Sequence, residues 1–282
     1  MKDFTLRKGF LDCKSGTSSL FKGFVMLVVL MLMTTSSAMA EVIDGLRYVL
    51  DPVKKTATLL PKMEGKYSGD IIIPEKVKGN DGVEYIVASL GASCFKDCSG
   101  LTSITIPSSV TSLGASCFGG CWGLTSITIP SSVTSLGDNC FYFCSVLTSI
   151  TIPSSVTSLG GNCFVSCSGL TSITIPSSVT SLGYDCFWGC SGLTSITIPS
   201  SVTSLGDKCF YGCQKLETVY FKGKKCNSSY KDLDIPTTSI IKVPTEYLQG
   251  YKDSFGPDYK YIYAWNPNET GEDSKPVTQC ST

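Results

Sequence analysis

The sequence predicts a solenoid, a fold in which each repeat of the chain forms one turn stacked on the next. The segment Leu-Thr-Ser-Ile-Thr-Ile-Pro-Ser-Ser-Val-Thr-Ser-Leu-Gly occurs five times without a change, starting at Leu101, Leu124, Leu147, Leu170 and Leu193. The spacing is 23 residues every time. Each copy is followed by a variable pair, then Cys-Phe, another variable pair and Cys. A fixed period of this length is typical of solenoids.

The first half of each repeat predicts one strand. In the first copy, Ile104 and Ile106 alternate with Ser and Thr, which is the pattern of a strand with one buried face. Pro107 has no N–H for a ladder, so the strand is expected to end there. Val110 and Leu113 are expected to point back to the core. Strands of successive turns would then pair in parallel, about 4.8 Å apart.

The second half predicts a short helix. Ser, Asp or Asn precedes five of the six Cys-Phe dipeptides, and these residues suit a helix start. Cys117 and Cys121 are four residues apart and would share one face of that helix, with Phe118 beside them. The predicted fold is therefore an α/β-type repeat, mostly β with short helical turns, stacked into a parallel sheet of about seven or eight strands.

The pattern Leu-x-x-Ile-x-Ile-Pro-x-x-Val-x-x-Leu-x-x-x-Cys-Phe-x-x-Cys resembles the repeat of BspA-like (treponemal-type) leucine-rich-repeat proteins. That family usually has Ala-Phe where this chain has Cys-Phe. The resemblance covers residues 87–221 and implies a leucine-rich-repeat solenoid. It also implies a bacterial surface or secreted protein, with adhesion to host matrix proteins or to other bacteria as the expected role.

Five segments are predicted along the chain. They are a signal peptide (1–40), an N-terminal β cap with an atypical first turn (41–86), the repeats (87–221), a C-terminal strand–helix cap (222–264) and a disordered tail (265–282). Basic residues before the apolar run from Phe24 to Met33, and the Ala38-Met39-Ala40 motif after it, predict the signal. A retained anchor helix is the alternative. Caps are expected because an end turn would otherwise expose its core.

Composition excludes several classes of function. The chain has 23 basic and 23 acidic residues and no His, and removing residues 1–40 leaves 18 basic and 21 acidic residues. A basic stripe for nucleic acid is missing. Without His there is no Ser–His or Cys–His pair, and the repeat carboxylates Asp138, Asp185 and Asp207 have no acidic partner. We therefore expect no enzyme and no cofactor, and no membrane span after signal cleavage.

Twelve of the fifteen cysteines form six Cys-x3-Cys pairs, and three interpretations compete. The first is buried free thiols that pack as small apolar groups. The second is disulfides, since export makes oxidation possible. The third is a thiol- or metal-binding protein, because the spacing is allowed for zinc. Low-pKa thiols, however, need an accessible, electropositive setting.

The outward side chains of the strands form a first candidate surface, which we call the hydroxyl face. Here we expect an extracellular protein or glycan to bind, because each hydroxyl both donates and accepts hydrogen bonds. Two alternatives are that Ser and Thr merely keep the face soluble, and that the Thr array matches an ice or crystal lattice. The residues of the hydroxyl face are Ser103, Thr105, Ser126, Thr128, Ser149, Thr151, Ser172, Thr174, Ser195 and Thr197.

Aromatic residues beside the Cys-Phe segments form a second candidate surface, which we call the turn edge. They suggest a contact patch if exposed. The alternative is that their rings lie over the Phe and Cys side chains and seal the core. The residues of the turn edge are Trp122, Tyr142, Phe143, Trp188 and Tyr211.

Overall fold

The structure, a computed structural model, describes residues 40–224 and 230–266. The predicted signal peptide apart from Ala40, and the predicted tail apart from Trp265 and Asn266, lie outside these residues. No helix in the described part of the chain is long and apolar enough to cross a membrane.

Most regular structure in the described residues is strand. The helical segments of these residues are an α-helix, α1 (Leu248–Phe255), and two short 3-10 segments, Tyr230–Leu233 and Thr245–Tyr247. The strands are, in chain order, β1 (Ala40–Ile43), β2 (Leu46–Asp51), β3 (Thr56–Leu60), β4 (Gly69–Ile72), β5 (Lys76–Lys78), β6 (Glu84–Leu90), β7 (Leu101–Thr105), β8 (Ser112–Leu113), β9 (Ser126–Thr128), β10 (Ser149–Thr151), β11 (Ser158–Leu159), β12 (Ser172–Thr174), β13 (Ser181–Leu182), β14 (Ser195–Ile198), β15 (Ser204–Leu205), β16 (Thr218–Phe221), β17 (Ile240–Pro244) and β18 (Ile262–Trp265).

The predicted parallel strands are confirmed. Strands β4, β7, β9, β10, β12, β14, β16, β17 and β18 stack in sequence order, as the hydrogen-bonded groups β4-β7, β9-β10 and β12-β14-β16-β17-β18. Their register is the repeat register, so Ser149 lies beside Ser126 and Thr151 beside Thr128. The Ile residues at the alternate positions are buried or half-buried, which fixes the hydroxyls outward. The sequence did not predict β18.

A second parallel ladder runs through the Ser-Leu dipeptide of each repeat. It joins β6 to β8, continues through isolated bridges at Leu136, and then pairs β11, β13 and β15. The Leu side chains of this ladder are buried. Each turn is therefore closed by two short strands on different sides of one core.

The Cys-Phe segment is a run of turns and not the short helix that we expected. Its N–H groups alternate between two kinds of partner. Cys117 N–H donates to Gly114 O in the same turn at 3.2 Å, whereas Phe118 N–H donates to Cys140 O in the next turn at 2.8 Å. Two residues per repeat, such as Ser116 and Gly120, have φ of 56° and 73°, which breaks helical geometry. Bonding between turns therefore replaces bonding within a helix.

The interior beside these turns is filled by aromatic rings and thiols. Phe95, Phe118, Phe141, Phe164, Phe187 and Phe210 stack with centroids 5.4–5.9 Å apart and planes within 5°. The twelve repeat cysteines are buried, as the first interpretation predicted. The stacking of identical side chains follows directly from the identical repeats.

Both ends of this core are covered by other residues. At the first turn, the antiparallel strands β1, β2 and β3 extend the second ladder, and the Tyr67 ring lies 5.2 Å from Phe95. At the last turn, Phe221 meets the rings of Tyr251 and Phe255 from α1. The predicted β cap and strand–helix cap are thus present. The 3-10 segment that begins at Thr245 has no side-chain cap.

Candidate functional site

The hydroxyl face is formed as the sequence predicts. Of its ten side chains, eight are exposed, and Ser195 and Thr197 are half-buried. Successive strands hold them in two straight columns, because Ser172 pairs with Ser195 and Thr174 with Thr197. The face carries no charged side chain between Ser103 and Thr197.

Other hydroxyls of the same repeats serve a different purpose. The second Ser after Pro donates to the Val carbonyl of the preceding turn, as in Ser155 to Val133 at 2.6 Å and Ser178 to Val156 at 2.6 Å. The Thr after Val donates similarly, as in Thr180 to Thr157 at 3.3 Å. These hydroxyls hold one turn to the next, so the O–H donor of each is already used.

The hydroxyls of the hydroxyl face do not bond to carbonyls of the preceding turn in this way. Among the described residues, Ser103 is the one member whose hydroxyl bonds to protein, donating to Asp70 Oδ1 at 2.7 Å. Thr102 donates to the same oxygen, and these two bonds lower the pKa of Asp70. The other nine hydroxyls remain open to water or to a bound molecule.

The turn edge is less regular. Trp122, Tyr142, Phe143 and Tyr211 are exposed, while Trp188 is half-buried and stacks on Tyr211 at 5.8 Å. Tyr142 and Phe143 contact each other at 4.4 Å. The stripe is interrupted in the third copy of the repeat, where Val165 takes the place of the ring and is buried. The structure therefore provides two separate aromatic pairs and one lone ring at this edge.

The thiols are placed for packing. In five of the six pairs the second Cys donates Sγ–H to the Phe carbonyl of the preceding turn, as in Cys144 to Phe118 and Cys167 to Phe141, both at 3.1 Å. In the first pair, Cys98 donates to Lys96 O at 4.0 Å instead. Burial raises the pKa of Cys144 to about 12 and raises the pKa of Cys167 well above its ordinary value. No group of three or more metal-ligating side chains occurs in the described part of the chain.

A third surface was missed by sequence reasoning, and we call it the end cluster: Tyr220, Lys242, Tyr263 and Trp265. Tyr220 pairs with Thr197, Lys242 with Tyr220 and Tyr263 with Lys242, so the cluster continues the Thr column. Trp265 meets Tyr220 edge-on at 5.1 Å, and Lys242 Nζ lies 5.3 Å from the Tyr220 centroid. Alternation around Tyr220 and Lys242 is the signal that could have placed both outward.

Comparisons with known proteins agree with this geometry. The pattern described as a BspA-type leucine-rich-repeat region matches residues 88–217 in six copies. A crystal structure of a T. pallidum leucine-rich-repeat protein is similar with 24% identity and a TM-score of 0.58, covering 75% of this chain and 94% of that one. This likeness shows the fold.

Two further solved structures are similar in a weaker way. A leucine-rich-repeat protein from Bacteroides ovatus has 20% identity and a TM-score of 0.37, over 79% of this chain and 81% of that one. A leucine-rich cell surface protein from Faecalibacterium prausnitzii has 18% identity and a TM-score of 0.32, over 83% and 97% respectively. No curated protein matches the chain in sequence.

Proposed function

We propose that this chain, whose residues 88–217 match the BspA-type leucine-rich-repeat region in six copies, is an exported binding or adhesion module without catalytic activity. Its ligand in this proposal is an extracellular protein or glycan that lies on the hydroxyl face. Export is proposed from the basic, apolar and small-residue pattern of residues 1–40.

The observation that carries this proposal is that the hydroxyls of one repeat fall into two classes, those bonded to protein and those that point outward. Ser155 and its equivalents are occupied by carbonyls of the preceding turn. Ser149 and Thr151 point outward in register with their neighbours and make no hydrogen bond to protein among the described residues. A rigid array of unoccupied donors and acceptors suits the peptide groups or sugar hydroxyls of a partner.

The thiols supply no competing activity in this proposal. Nucleophilic and metal-binding cysteines need an accessible thiolate. Here burial raises the pKa of the repeat cysteines and opposes their ionisation, and all of them belong to one hydrophobic core. We therefore assign the Cys columns to the core.

The test uses the full chain on an array of purified matrix proteins and glycans. Changing Thr128, Thr151 and Thr174 together to Glu places three carboxylates on the hydroxyl face. Binding to the captured partner should fall at least tenfold, because the carboxylates must lose water on contact. Thermal unfolding of the variant checks that the chain still folds.

The matched control changes the other surface. Tyr142, Trp188 and Tyr211 together become Ser, which removes rings from the turn edge and leaves the strands untouched. This variant should keep the affinity of the unchanged chain. If the partner is instead lost here and retained by the Glu variant, binding belongs to the turn edge and the proposed use of the hydroxyl face is wrong.

A further inference from the structure

The hydroxyl face has no anchoring residue along its central repeats. Tight interfaces depend on a few large side chains, chiefly Trp, Tyr and Arg, while Ser and Thr are under-represented among such hot spots. From Ser103 to Thr197 the outward positions of the strands are all Ser or Thr. A partner on this face therefore needs an anchor elsewhere on the same surface.

The end cluster supplies that anchor. Its members occupy outward positions of β16, β17 and β18, the strands that follow β14 in the parallel stack. All four side chains are half-buried, so each ring is supported by protein and keeps part of its surface free. Tyr and Trp rings combine a large apolar surface with a polar tip, which suits the face of a sugar ring and its hydroxyls.

Charge narrows the chemistry of the ligand. Among the outward strand positions of this face, Asp70 and Lys242 are the charged residues in the described chain. Asp70 lies at the opposite end and accepts two hydroxyl hydrogen bonds. The Lys242 ammonium is held over the Tyr220 ring, where a cation–π contact fixes its position. Glu217 and Glu246, which lie near Tyr220 and Lys242 in sequence, are outside the strands.

We propose that the end cluster anchors a glycan containing uronic acid, whose further sugar rings lie along the hydroxyl face. One pyranose stacks on the exposed aromatic surface of Trp265 or Tyr263, and its carboxylate pairs with Lys242. The neighbouring sugars exchange hydrogen bonds with the Ser and Thr columns. This inference rests on the proposed function, and it names the class of ligand and the residues that hold it.

The test measures binding of a hexamer of galacturonate to the full chain by calorimetry and by tryptophan fluorescence. The methyl ester of the same hexamer serves as the uncharged comparison. The acid should bind at least tenfold more tightly than the ester. Lys242→Gln should remove this preference and leave the ester unaffected, whereas Lys242→Arg should keep it.

The aromatic contribution has its own matched pair of variants. Trp265→Ala should weaken the binding of the acid and of the ester alike, at least tenfold. Trp188→Ala, which removes a half-buried Trp ring of the turn edge that likewise contacts a Tyr ring, should change neither. Because Trp265 lies in the last described strand, unfolding of the variant is monitored, and Lys242→Gln gives an independent result if Trp265→Ala does not fold.

Several outcomes overturn the inference. They are no binding of galacturonate by the full chain, binding that survives both Lys242→Gln and Trp265→Ala, and binding that appears only after removal of residues 267–282. Self-association that Trp265→Ala abolishes, without sugar binding, would assign the cluster to a second copy. A partner lost in the Glu variant but retained by Trp265→Ala would preserve the proposed function and reject the end cluster as its anchor.

Discussion

The strand side and the turn side of the same repeat differ in how the recurrence of a residue relates to its contacts. On the strand side the residues are the same in all five copies, yet side chains such as Thr151 contact no hydrogen-bonding partner in the described protein. On the turn side the buried Cys and Phe recur while the residue after Phe varies, as at Tyr142, Val165 and Trp188. Recurrence of a residue therefore does not by itself reveal whether it holds the fold.

The two sides also differ in their titratable groups. The strand side of the core consists of Ile, Val and Leu, whereas the turn side contains twelve buried thiols. A Ser or Thr face does not respond to pH in the ordinary range. Within the repeats, alkaline conditions should therefore destabilise the turn side rather than the strand side.

The largest expected effect is alkaline unfolding. Burial raises the pKa of Cys209 and Cys213 to about 12, above the ordinary value of about 8.5. The contribution of the buried thiols to the free energy of unfolding is thus complete below about pH 8.5. It is lost as the pH rises toward the pKa values of the folded state. Above about pH 8.5, each buried thiol lowers the free energy of unfolding by about 1.4 kcal/mol per pH unit. Several thiols together approach the whole stability of a domain. Circular dichroism under a reductant should show a cooperative loss of structure near pH 10.

The control for this prediction replaces the first Cys column by Ala. The six changes are Cys94, Cys117, Cys140, Cys163, Cys186 and Cys209 to Ala. With half the thiols gone, the alkaline midpoint should move upward and the transition should become less steep. An unchanged midpoint would mean that other groups cause the unfolding.

Next in size is a change of volume inside the turn. Cys140 is fully buried between neighbouring turns. Cys140→Leu should cost about 1–3 kcal/mol, because the added methyl groups overpack a close-packed site. Urea denaturation measures this loss, and Thr151→Leu on the exposed strand side of the same turn provides the comparison, with an expected change within about 0.5 kcal/mol.

A matched pair of Ser substitutions in one repeat tests the two classes of hydroxyl. Ser155→Ala removes a donor from the Val133 carbonyl and should cost about 1 kcal/mol. Ser149→Ala removes an outward hydroxyl without a protein partner and should change stability by less than about 0.5 kcal/mol. Equal losses from the two variants in urea denaturation would contradict the distinction on which the proposed function depends.

The smallest expected effect is a gain in stability at the turn edge. Phe143 has φ of 59°, at a position where three other repeats have Gly. A bulky residue in this conformation costs about 1–2 kcal/mol. Phe143→Gly should therefore stabilise the chain by about 1 kcal/mol, less the lost contact with Tyr142 at 4.4 Å. Gly189→Phe, the reverse change in another repeat, should destabilise it; differential scanning calorimetry resolves both signs.

The sequence by itself determined the period, the parallel strands and which side chains enter the core. These follow from local alternation: Ile150 and Ile152 must share one face of a strand, and copying the repeat places each residue beside its own copy. Burial of the Cys columns was predictable for the same reason. The columns of the hydroxyl face also required nothing more than the repeat register.

Tertiary structure alone decided three other matters. Cys-Phe segments became turns because their alternate N–H groups find carbonyls 22 residues away, in the next turn, as Phe118 does at Cys140. Ser155 and Ser149 differ in role because one hydroxyl reaches a carbonyl of the preceding turn and the other faces outward. The end cluster exists because β18 stacks beside β17 and brings Trp265 to Tyr220. In each case the deciding partner lies in another turn, and local sequence patterns carry no record of it.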